Sequence, residues 1–301
     1  MNVSELNRRY GAPGRIVFKE GFAGYPNVVL ANQYGTAEIA LLGANVLSYR
    51  PTGVGEVLFR PAKKDSEYNR GDGVHCGVPV CWPQFGNKFS KELPQHGFAR
   101  KLVFEVRGTE YTAEQTEITL GLKSDDETLK LWPHAFDLEY KVSVTMKLNL
   151  TLTTKNTGAE PLAFSCGFHP YFLVRDRNRI TVKGLKGEEC IAALDEAAKG
   201  VRADDFIATT APDDVFALKG ALKHEFAVLD PALRRAIAIV ATGNERVVVW
   251  NCGEGSPMSD FGPDDWKKYI CVEPVSDWPD GRTLAPGEKH SLTAAIQCVL
   301  E

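Results

Sequence analysis

Three short segments of this 301-residue chain carry residue types suited to moving protons. LPQHGFARK places His96 beside a glycine and four residues before Arg100. CGFHPYF places His169 between a phenylalanine and a proline. A histidine in such a rigid, aromatic-lined turn can be held at a fixed angle to a ligand; the plainer alternative is a core histidine bonded to a carbonyl. YICVEPVSDWP sets Glu273 behind a strongly apolar run and before a proline. A carboxylate there costs free energy unless it is paired. In a semi-enclosed pocket, desolvation raises its pKa and makes it a better base. Bonded to backbone amides at a strand end, it is structural instead. His75, in GVHCGVP, precedes the apolar piece VPVCWP, a suggestive but unspecific setting. His134 in LWPHAF fits packing under a strand crossing, and Asp213 and Asp214 in TAPDDVF fit a solvated turn.

The elements that must position these residues read as strands. RIVFKE, NVVLANQ, TAEIALLG, NVLSYR and EVLFRP are short alternating or β-branched pieces closed by glycine or proline. KLVFEVRGTE, QTEITLGLKS, LEYKVSVTMKLN and NLTLTTKN form a meander. PLAFSCGFHPYFLV is a strand interrupted at GFHP. RITVKGL, EECIAAL, HEFAVLD, RRAIAIVAT, RVVVWNC, KYICVEPV and SLTAAIQCVL complete the run. Residues 63–74 read as a polar loop, 78–97 as an aromatic-rich one, and DEAAKGVRADDF is the most helix-like piece. Many short, closely spaced strands predict an all-β sandwich or barrel, and no linker or repeat divides residues 1–301, so one domain is expected.

Composition limits the partners. The net charge is -4, which gives no broad positive field for nucleic acid but leaves room for a local basic pocket. The seven cysteines are odd in number and several sit in apolar runs, which points to buried small hydrophobes and not to a disulfide framework. MNVSELNRRYG has no apolar signal segment behind it and no run reaches transmembrane length, so a cytoplasmic protein without membrane contact is expected. There is no P-loop, dinucleotide fingerprint, HExxH, CxxC or nucleophile elbow; GEGSP at 253–257 reads as a turn, and no metal-ligand spacing stands out.

GVPVCWPQFG at 77–86, LPQHGFAR, GFHPYF and CVEPVSDWP occur in an order that resembles the aldose 1-epimerase superfamily, most like its glucose-6-phosphate 1-epimerase branch. The likeness covers nearly the whole chain. It implies a large two-sheet antiparallel β-sandwich (a galactose mutarotase-like supersandwich) with a groove on one sheet, a small-molecule sugar or sugar phosphate as partner, and no metal or organic cofactor. A monomer is favoured.

By motif, the resemblance makes Glu273 the general base on the C1 hydroxyl and His169 the general acid on the ring oxygen. His96, Asp213 and Gln84 would hold the sugar, and Arg100 its phosphate. The branch usually carries RGG before its IP or VP dipeptide; here His75, Cys76 and Gly77 stand there. Histidine is a shorter, conditional cation without the guanidinium fork, so Arg70 or Arg60 is a candidate to compensate. Asp214 also departs, standing where many relatives carry a basic residue. Two rival readings follow: a mutarotase for an unphosphorylated aldose such as glucose or galactose, and a non-catalytic carbohydrate-binding or regulatory module.

Overall fold

The computed structural model describes the chain except Gly73 and residues 193–198, 202–205, 208–215, 220–222, 256–257, 277–279 and 301. Two antiparallel sheets dominate. The nine-stranded sheet runs Phe206–Ile207, Thr181–Lys183, Lys223–Asp230, Arg235–Thr242, Lys289–Leu300, Leu148–Asn156, Phe136–Val144, Thr116–Lys123, Glu105–Tyr111. The eight-stranded sheet runs Lys199–Val201, Glu189–Ala192, Phe216–Lys219, Arg246–Trp250, Tyr269–Ser276, Cys166–Phe168, Val80–Cys81, with Tyr171–Leu173 also paired to Tyr269–Ser276. A four-stranded meander, Ile16–Glu20 to Val46–Pro51, packs into the same core.

Period-two alternation decides which residues face inward. Leu148, Leu150 and Leu152 are buried, as are Leu292, Ala294 and Ile296 across the ladder. They belong to one apolar cluster with Val247, Val249, Ile270, Val272 and Phe168 of the other sheet. Trp82 stands between the layers: its Nε1 donates to Thr154 Oγ1 at 2.9 Å and its ring meets Phe98, Trp132 and Phe136. Trp82, Phe98 and Phe168 therefore pack the core.

Several elements differ from the sequence expectation. EVLFRP is not an extended strand; it makes one isolated bridge, Leu58 to Phe172, and Glu56 accepts from the amides of Tyr49, Val57 and Leu58. Within the helix-like DEAAKGVRADDF, Lys199–Val201 pairs as a strand with Glu189–Ala192. Two short helices were not expected. Val3–Tyr10 is capped by Asn2 accepting from the Glu5 amide, and Asp126–Leu131 by Asp125 accepting from the Thr128 amide. The six described cysteines are free and buried. Among the described residues no helix is long and apolar enough to cross a membrane.

Candidate active site

Strand parity builds the site. Along Tyr269–Ser276, Ile270 and Val272 point into the inter-sheet core, so Cys271, Glu273 and Val275 share the opposite face. On the neighbouring strands Cys81, Val248 and Trp250 lie on that same outer face. Gly167 faces Val275 and Cys81, and a Cβ there would come within 2.6 Å of the Phe85 ring. Its lack of a side chain lets Phe85 lie against the sheet.

Register then places His169. Gly167 is opposite Val275 and Tyr171 is opposite Cys271 on one unbroken count. The residue midway between the first pair's end and the second's start, His169, therefore falls opposite Glu273. Its Nε2 lies 3.5 Å from Glu273 Oε1. The GFHP interruption read from sequence is this point, where the chain leaves the ladder briefly and His169 N–H donates to the Pro79 carbonyl at 3.1 Å. The ring is stacked on Tyr171 at 4.9 Å and meets His96 and Trp250 edge-on.

Burial controls the charges. Glu273 is 1% exposed and His169 7%. Among the described residues, Glu273 Oε2 and His169 Nδ1 have no hydrogen-bond partner. Desolvation pushes the Glu273 carboxyl well above its usual pKa. Desolvation, reinforced by the charge of Arg100, pushes His169 well below 6.5. Both shifts favour the uncharged forms, a protonated Glu273 beside a neutral His169. The sequence expectation had the proton on His169. The two arrangements differ by one transfer between groups already in contact, and their titration belongs to the pair.

His96 sits at the rim in a left-handed conformation, φ 61°. Its N–H donates to the Gly86 carbonyl at 2.7 Å, and its Nδ1 accepts from the Gly86 N–H at 3.2 Å. Burial and the nearby Arg100 lower its pKa, so it faces the site as a neutral ring. Arg100 donates to the Gln95 carbonyl at 3.0 Å and its field reaches His96, His169 and Tyr171.

The remaining expected residues divide. Gln84 is fully buried; its Nε2 donates to the Leu93 and Pro94 carbonyls and its Oε1 accepts from the Ser90 N–H. Its amide pins the 84–94 loop that leads to His96 and is buried within that loop, which corrects the expected sugar contact. His75 begins the segment whose Gly77 and Pro79 carbonyls accept from the Tyr171 and His169 N–H groups. Arg70 is exposed on the loop between Asn69 and Gly71. Arg60 is ion-paired with Asp65 and lines a separate cavity with Lys19, Glu38 and Arg50. Asp213, Asp214 and Trp278 lie outside the described residues.

His169, Cys271 and Glu273 also bring one nitrogen, one sulfur and one oxygen within 4.8 Å of one another, the tightest such group among the described residues. An ion there would occupy both atoms of the acid–base pair, so ion binding and proton transfer exclude each other at this place.

Sequence reasoning missed Trp250, Cys271 and Asp260. Parity along RVVVWNC and YICVEP could have placed the first two beside Glu273 once that face was known. Asp260 lies in the polar stretch MSDFGPDDW, and nothing local marks it out from its acidic neighbours.

Known proteins share this arrangement of chain. The profile of the aldose 1-epimerase family matches residues 26–297. A Salmonella typhimurium protein with the provisional name glucose-6-phosphate 1-epimerase is 32% identical over 276 residues, 90% of each chain. An Escherichia coli K12 protein of the same provisional name is 32% identical over 250 residues, 82% of this chain and 81% of its own. The crystal structure of a provisionally named mutarotase from Salmonella typhimurium superposes with a TM-score of 0.85 at 27% identity, covering 95% of this chain and 94% of that one. With the sandwich, the groove face and the matched span agreeing, this chain belongs to the aldose 1-epimerase family and has the galactose mutarotase-like fold.

Proposed function

We propose that the protein interconverts the α and β anomers of a hexose 6-phosphate, glucose 6-phosphate in the first place, by acid–base ring opening and closure. The observation that carries the reading is the buried Glu273–His169 pair, 3.5 Å apart. Glu273 as carboxylate takes the proton of the C1 hydroxyl while His169 as imidazolium gives one to the ring oxygen. The C1–O5 bond breaks, the C1–O1 bond becomes the aldehyde, and the pair is left as carboxylic acid and neutral imidazole. Rotation about C1–C2 turns the other carbonyl face inward, and closure returns both protons. The pair holds one proton throughout this cycle, and burial favours the form it takes in the open-chain complex. His96 orients the sugar from the rim. The phosphate rests on the provisional names of the relatives and on Arg100, whose charge bears on His169, with His75 on the neighbouring segment.

Freshly dissolved α-glucose 6-phosphate and α-glucose, each followed by its anomeric NMR signals, test the choice of substrate. Faster equilibration of the phosphorylated sugar is expected. Acceleration of glucose alone would leave a mutarotase for plain aldoses, and acceleration of neither would favour a binding module.

The pair also predicts the pH dependence. His169 is depressed, so its second proton is taken up only well below pH 6.5, and the acid limb of kcat lies there. Glu273 is raised, so the last proton leaves only well above the usual carboxylate range, and the alkaline limb moves up. A kcat profile with no inflection at pH 6.5 is expected. A half-maximal point at 6.5 would show an ordinary, solvated histidine.

A further inference from the structure

We propose that Asp260 is a positioning residue that fixes His75 as the receptor for the anionic end of the substrate. The inference rests on the hexose-phosphate reading above. Asp260 is buried, and both of its oxygens serve one partner residue. Oδ1 meets His75 Nδ1 at 2.7 Å and Oδ2 accepts from the His75 N–H at 3.0 Å. The Tyr68 hydroxyl donates to Oδ2 at 3.2 Å, which stops the carboxylate turning.

The consequence for His75 is definite. An ionised carboxylate only accepts, so Nδ1 carries a hydrogen and Nε2 is the nitrogen left for a ligand. Burial alone would raise the Asp260 pKa, but the hydrogen bonds and charge from His75 outweigh it and hold the carboxyl below its usual range. The carboxylate is therefore present across the neutral range. With a second proton on Nε2, the ring becomes a donor whose charge Asp260 balances from behind, and a phosphate oxygen in front completes a charge-assisted hydrogen bond.

His75 is also in the right place. The chain from His75 to Pro79 runs beside the acid–base pair: the Gly77 carbonyl accepts from the Tyr171 N–H and the Pro79 carbonyl from the His169 N–H. Phe261 lies edge-on to the His75 ring at 5.9 Å and also touches Tyr269, which packs on Tyr171. The His75 side chain keeps 20% of its surface exposed, while that of Asp260 keeps none. His75 is thus a fixed, solvent-reachable imidazole on the segment that runs beside His169.

Two readouts test this. The first is KM for glucose 6-phosphate relative to KM for glucose. Asp260→Asn is expected to raise that ratio about tenfold, and His75→Gln by a similar factor, with the double variant adding little to either. His75→Arg, which supplies a cation that does not need Asp260, is expected to keep the ratio low even combined with Asp260→Asn. The second is the His75 ring in a two-bond proton–nitrogen NMR spectrum, titrated with inorganic phosphate. Wild type is expected to shift at Nε2 and Asp260→Asn not to shift. Should Asp260→Asn fail to fold, His75→Gln and the wild-type titration decide. Equal changes in KM for both sugars, or a ring that phosphate leaves unmoved, would overturn the proposal. If wild type accelerates neither sugar, the hexose-phosphate reading fails, and the phosphate titration still judges His75 by itself.

Discussion

Glu273→Gln is expected to lower the enzyme-catalysed anomerisation rate about a thousandfold and to raise the unfolding temperature by about 2–5 °C. Both effects come from the same burial. Glutamine keeps the shape of the side chain but cannot accept the C1 proton, so the general-base contribution disappears. In the folded protein Glu273 is enclosed beside Val248 and Cys271 with one oxygen unpartnered. Ionising it there is opposed by desolvation, and an unsatisfied buried polar group costs about 1–3 kcal/mol.

The sign of the pH dependence follows from the raised pKa. Above about 4.5 the unfolded chain ionises this carboxyl while the folded one resists. Its contribution to stability is therefore full below pH 4.5 and is lost as pH rises toward the folded pKa. The advantage of Gln over Glu should be small near pH 4.5 and grow as pH rises to 8 or so. Thermal melts of both proteins across that range check it. A variant less stable than wild type at every pH would mean that the carboxylate makes favourable contacts in the fold.

Gly97→Ala is expected to destabilise the protein by about 3 kcal/mol or more and to take the activity with it. Gly97 has φ +70°, and a Cβ there would lie 2.0 Å from the Trp82 carbonyl oxygen and 2.3 Å from its carbon. These are backbone atoms at the centre of the core, where Trp82 is held by Thr154, and the Ala99 N–H donates to that same carbonyl at 3.1 Å. Nothing flexible can give way. The 97–99 segment must lift off Trp82, and His96, its neighbour, moves with it. Gly287→Ala is the comparison: φ is +82° but a Cβ would meet nothing within 4 Å. That variant carries only the left-handed backbone term of about 1–2 kcal/mol. Chemical denaturation of both separates the effects. Equal losses would mean that the Trp82 contact is relieved easily.

Much of this was legible in the residues. Alternation in NLTLTTKN and RRAIAIVAT marks strands with one buried face, and those strands form the ladder beneath the core. GFHP reads as a break in a strand, and the break is what sets His169 across from Glu273. The two meet because residues over a hundred positions apart share one register, a pairing that no local pattern encodes. Gln84 misled for a related reason. It lies in a motif that resembles a binding segment, yet three hydrogen bonds within the 84–94 loop engage its amide. The resting proton was also out of reach, because it depends on how completely each group is enclosed. EVLFRP has strand composition, yet it bonds Tyr49 and the 171–173 segment without forming an extended ladder, and Glu56 accepts from the Tyr49, Val57 and Leu58 amides.

The most direct measurement is exchange NMR on glucose 6-phosphate already at anomeric equilibrium, with wild type and with Glu273→Gln. Cross-peaks between the α and β anomeric protons, present with wild type and at the spontaneous level with Glu273→Gln, are the predicted result. Cross-peaks of equal intensity with both proteins, or none above the spontaneous level with wild type, would contradict the assignment of the Glu273–His169 pair as the centre that opens and closes the ring.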